Sequence, residues 1–318
     1  MKTIVIAAVA LLLVACARDD RTYRPESGPQ IVANPEPPFV IAHRGASAYE
    51  PEHTRQAYLL GIEMGADFIE PDIVFTRDLV AICAHDITME QTTNVADLFP
   101  DRHRDDGSWY WNDFTIAEIR TLTKSGRTRS GAERPGVTYH VLTLGEMLSV
   151  IQRKNTSRIR ARQPRLGVIP ELKKPGFYEA NSPGFDPAAA LVSELETHDS
   201  GPRELCIIQC FDLRTIEHLA TLTDLPLVWL TGDVPTDEQL DRAAAVAHGL
   251  GPNRRLLEDD AGNPKPLIER ARARGLALYP YTFKDEPEAT ERFFHDHGVA
   301  GLFTDNPDVG VTAKNARP

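Results

Sequence analysis

"DFIEPDIVFTRDLVAICAH", residues 67–85, is the stretch that decides the fold. It holds two apolar runs, 67–75 and 80–85, each of strand length and composition. Only "TRDL", residues 76–79, joins them. A parallel crossover needs roughly a dozen residues or more, so one of the two runs antiparallel or leaves the sheet. The first run also carries Glu70 and Asp72, two apart and therefore on one face of a strand. An unpaired carboxylate in such apolar surroundings costs several kcal/mol, so the pair needs a compensating partner.

Working outward, short apolar runs recur with amphipathic stretches between them. Strand candidates are 39–43, 67–75, 80–85, 166–172, 204–211, 225–231, 246–251, 276–283 and 300–304. Helix candidates are about 54–64, 143–154, 187–197, 213–222, 236–245, 265–274 and 287–297. This alternation predicts an α/β protein with a mostly parallel sheet. About eight strand–helix units over roughly 280 residues fit a (β/α)8 TIM barrel better than a doubly wound sheet. No G-x-G-x-x-G follows a strand, which further disfavours dinucleotide binding. The section 87–140 breaks the rhythm: it is polar, contains Trp109 and Trp111, and lacks alternating strands. It reads as a subdomain inserted after an early strand, at the barrel end where substrates sit.

The 318 residues are 42% hydrophobic and 25% charged, which suits a well-cored globular domain. A net charge of −11 excludes nucleic acid as the expected partner, because phosphate-backbone binding needs a basic face. A small phosphate substrate is compatible with it, since a few local cations or a metal reverse the field inside a pocket. At the N-terminus, Lys2 precedes an apolar run of signal-peptide length ending in "LVAC". That ending resembles the bacterial lipobox, which implies cleavage after residue 15 and a lipid on Cys16. Residues 16–38, rich in polar groups and proline, then read as the lipidated cysteine and its tether. The folded part is expected over 39–312. The implied location is the cell envelope, as a periplasmic or outer-membrane-anchored lipoprotein, attached through the acyl chain rather than by a span. Cys83, Cys206 and Cys210 match neither a zinc motif nor a disulfide scaffold, and read as buried thiols.

Polar residues recur at the strand ends. The first candidate strand runs into His43 and Arg44, and the third into His85 and Asp86. The fourth, "LGVIPELKK", puts Glu171 and Lys173 on one face. Gln209 and Phe211 follow in "IIQCFD", and Tyr281 in "LYPYTF". Glu70, Asp72 and Glu171, with no excess of nearby Arg or Lys, suggest a hard divalent cation. All-oxygen ligation favours Ca2+ or Mg2+ over zinc. His43 and His85 beside such a cation would form an acid–base pair, and Arg44 and Lys173 would offset charge on an anionic oxygen. In the "AHRGASAYEPEHT" segment, residues 42–54, Glu52 and Thr54 read as the opening of the first helix, and His53 is left outside the catalytic set.

Together "HRGASAYEPEHT", "IEPDIVFTRD", "AHD", "IPELK", "IQCFD", "YPYTF" and "GLFTDNPD" resemble the glycerophosphodiester phosphodiesterase family, in family order from about residue 39 to 310. The insertion, with "VADLFPDR" and "DFTIAEI", is similar to its periplasmic branch. The resemblance implies a TIM barrel that hydrolyses glycerophosphodiesters to sn-glycerol 3-phosphate and an alcohol with one divalent metal, Ca2+ or Mg2+. By position it implies Glu70, Asp72 and Glu171 as metal ligands and His43 and His85 as catalytic residues. Arg44 and Lys173 match phosphate contacts, with Gln209, Phe211 and Tyr281 completing the substrate wall. The family's usual glycine after Asp78 is Leu79 here. Two other readings are a lipoprotein that uses the barrel only for binding, and a lipid-directed phosphodiesterase of the same superfamily.

Overall fold

The computed structural model describes residues 37–125, 136–198 and 205–317. The expected signal, Cys16 and nearly all of the tether lie outside the described residues. The strands are β1 (Phe39–His43), β2 (Phe68–Glu70), β3 (Asp72–Phe75), β4 (Ala81–Cys83), β5 (Gly167–Val168) and β6 (Glu171–Leu172). There follow β7 (Ile208–Cys210), β8 (Leu227–Thr231), β9 (Gly249–Pro252), β10 (Ala277–Leu278) and β11 (Gly301–Thr304).

Among the described residues these strands make eight parallel staves. β2 and β3 are one stave interrupted at Pro71, and β5 and β6 another interrupted at Pro170. Proline has no N–H to give the ladder, so the strand breaks there in name. Its carbonyl still accepts: Glu171 N–H donates to Pro71 O at 2.9 Å and Gln209 N–H to Pro170 O at 3.0 Å. The ring closes where β11 pairs with β1, and where Phe283 bridges Thr304 beyond β10. β4 runs antiparallel to β3, pairing Ile73 with Cys83, and is the ninth candidate left outside the barrel. The short "TRDL" link thus makes a hairpin. Its turn puts Leu79 at φ 61°, the left-handed region where glycine is the usual occupant. The Thr76 hydroxyl donates to Asp78 at 2.7 Å, and Asp78 also accepts the Ile116 N–H at 2.9 Å, so the turn is held from both sides.

The helices are α1 (Arg55–Glu63), α2 (Val95–Leu98), α3 (Ile116–Ile119), α4 (Leu144–Arg160), α5 (Pro175–Asn181), α6 (Pro187–Thr197), α7 (Leu213–Leu222), α8 (Asp237–Val246), α9 (Leu267–Arg272), α10 (Pro287–His295) and α11 (Pro307–Lys314). Thr54 caps α1 by accepting the Ala57 N–H, as the sequence suggested. Within the described part of the insertion, α2, α3 and isolated bridges take the place of strands. No described helix is long and apolar enough to cross a membrane.

Two apolar cores result. The larger lies between the staves and the helices; the smaller fills the barrel with Phe39, Ile41, Phe68, Ile169, Ile207, Tyr279 and Phe303 among others. The smaller one sets up the site. Side chains alternate along a strand, so two residues past an inward apolar group comes another inward group. Phe39 and Ile41 lead to His43, and Phe68 leads to Glu70 and Asp72. Ile169 leads to Glu171 and Lys173, Ile207 to Gln209 and Phe211, Tyr279 to Tyr281, and Phe303 to Asp305. The barrel is apolar at its floor and polar at its C-terminal mouth. Cys83, Cys206 and Cys210 are buried, as expected.

Candidate active site

Register brings the carboxylates together. β1 pairs His43 with Glu70, β3 pairs Asp72 with Glu171, and β6 pairs Glu171 with Gln209. Ligand oxygens of Glu70, Asp72 and Glu171 all lie within 4.8 Å of one another, and all three residues are buried. Burial, then repulsion from Asp72 and Glu171, pushes the Glu70 pKa well up; burial and Asp72 carry Glu171 to about 7 despite Lys173. Asp72 moves the other way: against burial, Lys173 and the His53 hydrogen bond hold it well below the carboxylate range.

The carboxylates are not bare, although, as expected, no excess of cations stands near them. The Arg44 backbone N–H donates to Glu70 at 2.7 Å and its Nε lies 3.4 Å from Asp72; Lys173 Nζ is 2.7 Å from Glu171. Lys173 is brought inward by the same alternation that brings in the acids, and Arg44 by the left-handed turn that ends β1, at φ 59°. Three carboxylates against two cations still leave an excess of one negative charge. Asp72 Oδ1 and Gln209 Oε1 are buried without a hydrogen-bond partner. Such oxygens are rarely left so, and a hard cation would satisfy both their chemistry and the mutual repulsion. The residues present therefore fit one divalent ion.

Each histidine has a carboxylate on Nδ1. For His43 it is Asp305, at 2.6 Å, which also accepts from Ser47 at 3.1 Å. Burial and the adjacent Arg44 cation lower the His43 pKa, against the pull of Asp305. An ionised Asp305 keeps the proton of a neutral ring on Nδ1 and leaves Nε2 as acceptor. For His85 the partner is Asp86, its chain neighbour, at 2.8 Å. The His85 side chain is 30% exposed.

His43, Arg44, Glu70, His85, Glu171, Lys173, Gln209, Phe211 and Tyr281 line one cavity of about 140 Å³. Asp72 lies behind that wall, fully buried. Gln209 Nε2 donates to Glu70 at 3.3 Å. Tyr281 gives its hydroxyl to Thr231 O at 3.0 Å and turns its ring toward Phe211, with centroids 5.7 Å apart.

Sequence reasoning missed the support beneath this wall. Glu52 does not open the first helix; it is buried and accepts from Arg44 Nη1 at 2.7 Å. Against burial, Arg44 lowers the Glu52 pKa to about 2, with smaller contributions from His53 and Lys124. His53 is buried between Tyr58 (3.0 Å) and Asp72 (2.9 Å), and burial takes its pKa down to about 4. Lys124, from the insertion, is 4% exposed and donates to Glu52 O at 2.5 Å. Burial lowers its pKa to about 8. Asp305 had a usable signal, since it sits two residues past inward-facing Phe303. Glu52, His53 and Lys124 lie in loops without such a period. Gly45 permits the close turn beneath Arg44: its φ is 84°, and a Cβ there would stand 2.6 Å from the Ala57 carbonyl carbon.

Two histidines and two cations around a cavity backed by clustered acids suit a doubly substituted phosphate. Both oxygens that change protonation can then be reached, and the anionic charge is matched. The class so defined is a phosphoric diester hydrolase on a TIM barrel.

The chain belongs to the glycerophosphoryl diester phosphodiesterase family, whose profile matches residues 43–309. It is 30% identical over 290 residues to a glycerophosphodiester phosphodiesterase of Bacillus subtilis, covering 87% of this chain and 86% of that one. To the enzyme of the same name from Haemophilus influenzae it is 27% identical over 330 residues, with 86% and 88% covered. In fold it matches an Oleispira antarctica phosphodiesterase solved with its product sn-glycerol-3-phosphate, at a TM-score of 0.66 and 22% identity, covering 87% of this chain and 96% of that one. The glycerophosphodiester phosphodiesterase of Agrobacterium tumefaciens matches at 0.61 and 20%, covering 86% and 99%. The chain is an enzyme of this class.

Proposed function

We propose that this enzyme hydrolyses glycerophosphodiesters such as glycerophosphocholine and glycerophosphoethanolamine to sn-glycerol 3-phosphate and an alcohol. One divalent cation, Ca2+ or Mg2+, would be held by Glu70, Asp72 and Glu171. When bound it supplies Lewis acidity at the phosphoryl group. The observation that carries this reading is the buried Asp72 oxygen left without a hydrogen bond among three converging carboxylates, beside a cavity lined by both histidines.

His43, neutral and oriented by Asp305, takes the proton from the attacking hydroxyl at Nε2. His85 gives a proton to the departing alcohol oxygen at the cavity mouth. Each contributes about 10²–10⁴-fold, the usual range for a placed acid or base. Arg44 and Lys173 balance the charge that builds on the phosphoryl oxygens. Glu52 and Lys124 act through Arg44 by fixing its loop, and are positioning residues. Gln209, Phe211 and Tyr281 shape the wall against which the glycerol is held.

The purified protein should release sn-glycerol 3-phosphate from glycerophosphocholine; EDTA should stop it, and Ca2+ or Mg2+ should restore it. No product with either metal would overturn the assignment. We further propose that Cys16 carries a lipid that anchors the enzyme in the cell envelope. Supporting this are the "LVAC" motif and the proline-rich segment before β1. Cys16→Ser should move the protein from the membrane fraction to the soluble one; unchanged fractionation would sink the anchor.

A further inference from the structure

Beside the catalytic cavity lies a second, larger hollow of about 880 Å³. The two share His85, Glu171, Lys173 and Phe211, so they meet at the residue placed to protonate the leaving alcohol. The hollow continues outward between the insertion, through Ile87 and Gln91, and the start of α5, through Gly176 and Phe177. We propose that this groove is the subsite for the leaving alcohol, and that it selects diesters of bulky, largely apolar alcohols over those of choline or ethanolamine. This rests on the diesterase reading above.

Position comes first. A diester whose phosphate lies between Arg44 and Lys173 has its two ester oxygens on opposite sides. The small cavity can take a glycerol-sized arm, and the other arm must pass His85 into the groove. Size comes next: the groove is near the upper end of the roughly 300–1,000 Å³ typical of pockets for drug-sized ligands, far more than an ethanolamine arm fills.

The lining decides the chemistry. Ile87, Phe177 and Phe211 give it broad apolar walls, and Phe211 is 44% exposed. Its three carboxylates are already engaged: Asp86 by His85 at 2.8 Å, Glu171 by Lys173 at 2.7 Å, and Asp212 by the Arg214 N–H at 3.0 Å as the α7 cap. Nor do the described residues form an open aromatic cage for a quaternary ammonium. Tyr110 stacks on Phe177 with centroids 5.6 Å apart, Arg104 covers Tyr110, and Lys173 already stands 5.7 Å from the Phe211 ring. The stack also makes the insertion a buttress of this wall.

Gly176 offers a direct test, because it lines the groove and a Cβ there meets nothing within 4 Å, so a large side chain fits at this wall without a clash. The kcat/KM of the full enzyme is compared for glycerophosphoethanolamine and the glycerophosphodiester of 4-phenylbutanol. Wild type should favour the phenylbutyl ester about tenfold, a modest share of what burying its methylenes and ring can supply. Gly176→Trp, and separately Gln91→Trp on the facing wall, should bring that ratio to about one. A wild-type ratio of one or below, or a ratio that survives both substitutions, overturns the subsite alone. A wild type that hydrolyses neither ester overturns the diesterase reading, and the subsite with it.

Discussion

His43 and His85 are built alike and placed differently. His43 ends β1, His85 stands two residues past β4, and each has a carboxylate on Nδ1, at 2.6 and 2.8 Å. His43 continues the inward face of a barrel stave, and its carboxylate comes from Asp305, 262 residues away and just past β11. His85 follows the antiparallel β4 outside the barrel, and takes its carboxylate from the next residue. The Asp305 side chain is 3% exposed and that of Asp86 42%. The same pair of groups thus makes a rigid, dry dyad in one place and a solvent-facing one in the other. A base that must be neutral before the attack suits the first, and an acid that must be reprotonated from water after each turnover suits the second.

The contrast can be broken most forcefully by removing each ring. His43→Ala and His85→Ala should each lower kcat by about 10²–10⁴-fold while the far-ultraviolet dichroism stays native. Near-normal turnover in both would end the acid–base reading. Removing the partners should separate the dyads. Asp305→Asn should cost roughly 10³-fold in kcat, because a buried orienting carboxylate fixes the tautomer. Asp86→Asn should cost about tenfold or less, since water can replace an exposed partner.

The pH profile sharpens the same point. A base whose pKa lies below 6.5 puts the acid limb of kcat/KM below pH 6.5. Asp305 raises that pKa, so residual activity of Asp305→Asn should have its acid limb lower still. A limb shifted upward would contradict the environment described for His43.

The smallest effect on turnover concerns Glu52. Its pKa is depressed from 4.5 to about 2, so the stability it contributes is fully present above pH 4.5 and lost as pH falls toward 2. Urea melts of Glu52→Gln should show a deficit of about 3 kcal/mol at pH 7 that shrinks over that acid window. A deficit independent of pH would mean that Arg44 does not depend on the Glu52 charge.

Much of this site could be read from the chain, for a specific reason. Glu70, Asp72, Glu171, Lys173, Gln209, Phe211 and Tyr281 stand on staves where a period of two is visible, and their strands align them. The short link between 67–75 and 80–85 likewise forced the antiparallel hairpin that the structure contains. What escaped lies where no period operates. Glu52 looks like a helix-opening acid because Thr54 nearby is the true cap. Lys124 becomes buried through a contact 72 residues away, and His53 through a loop turn that sets it between Tyr58 and Asp72. The cations that offset the carboxylates were in view as residues, but their closeness depends on register and on the left-handed turn at Arg44, with φ 59°. α5 and α11 each start at a proline and are too short for a helical period to stand out.

The central claim is a division of labour: His43 works on the nucleophile and His85 on the leaving group. It is tested most directly by measuring kcat/KM of His43→Ala and His85→Ala on two diesters, glycerophosphocholine and glycerophospho-p-nitrophenol, each relative to wild type. p-Nitrophenolate leaves without a proton. His85→Ala should therefore recover most of its loss on that ester, by about 100-fold or more, whereas His43→Ala should lose equally on both. Recovery in His43→Ala instead, or in neither, would contradict the account.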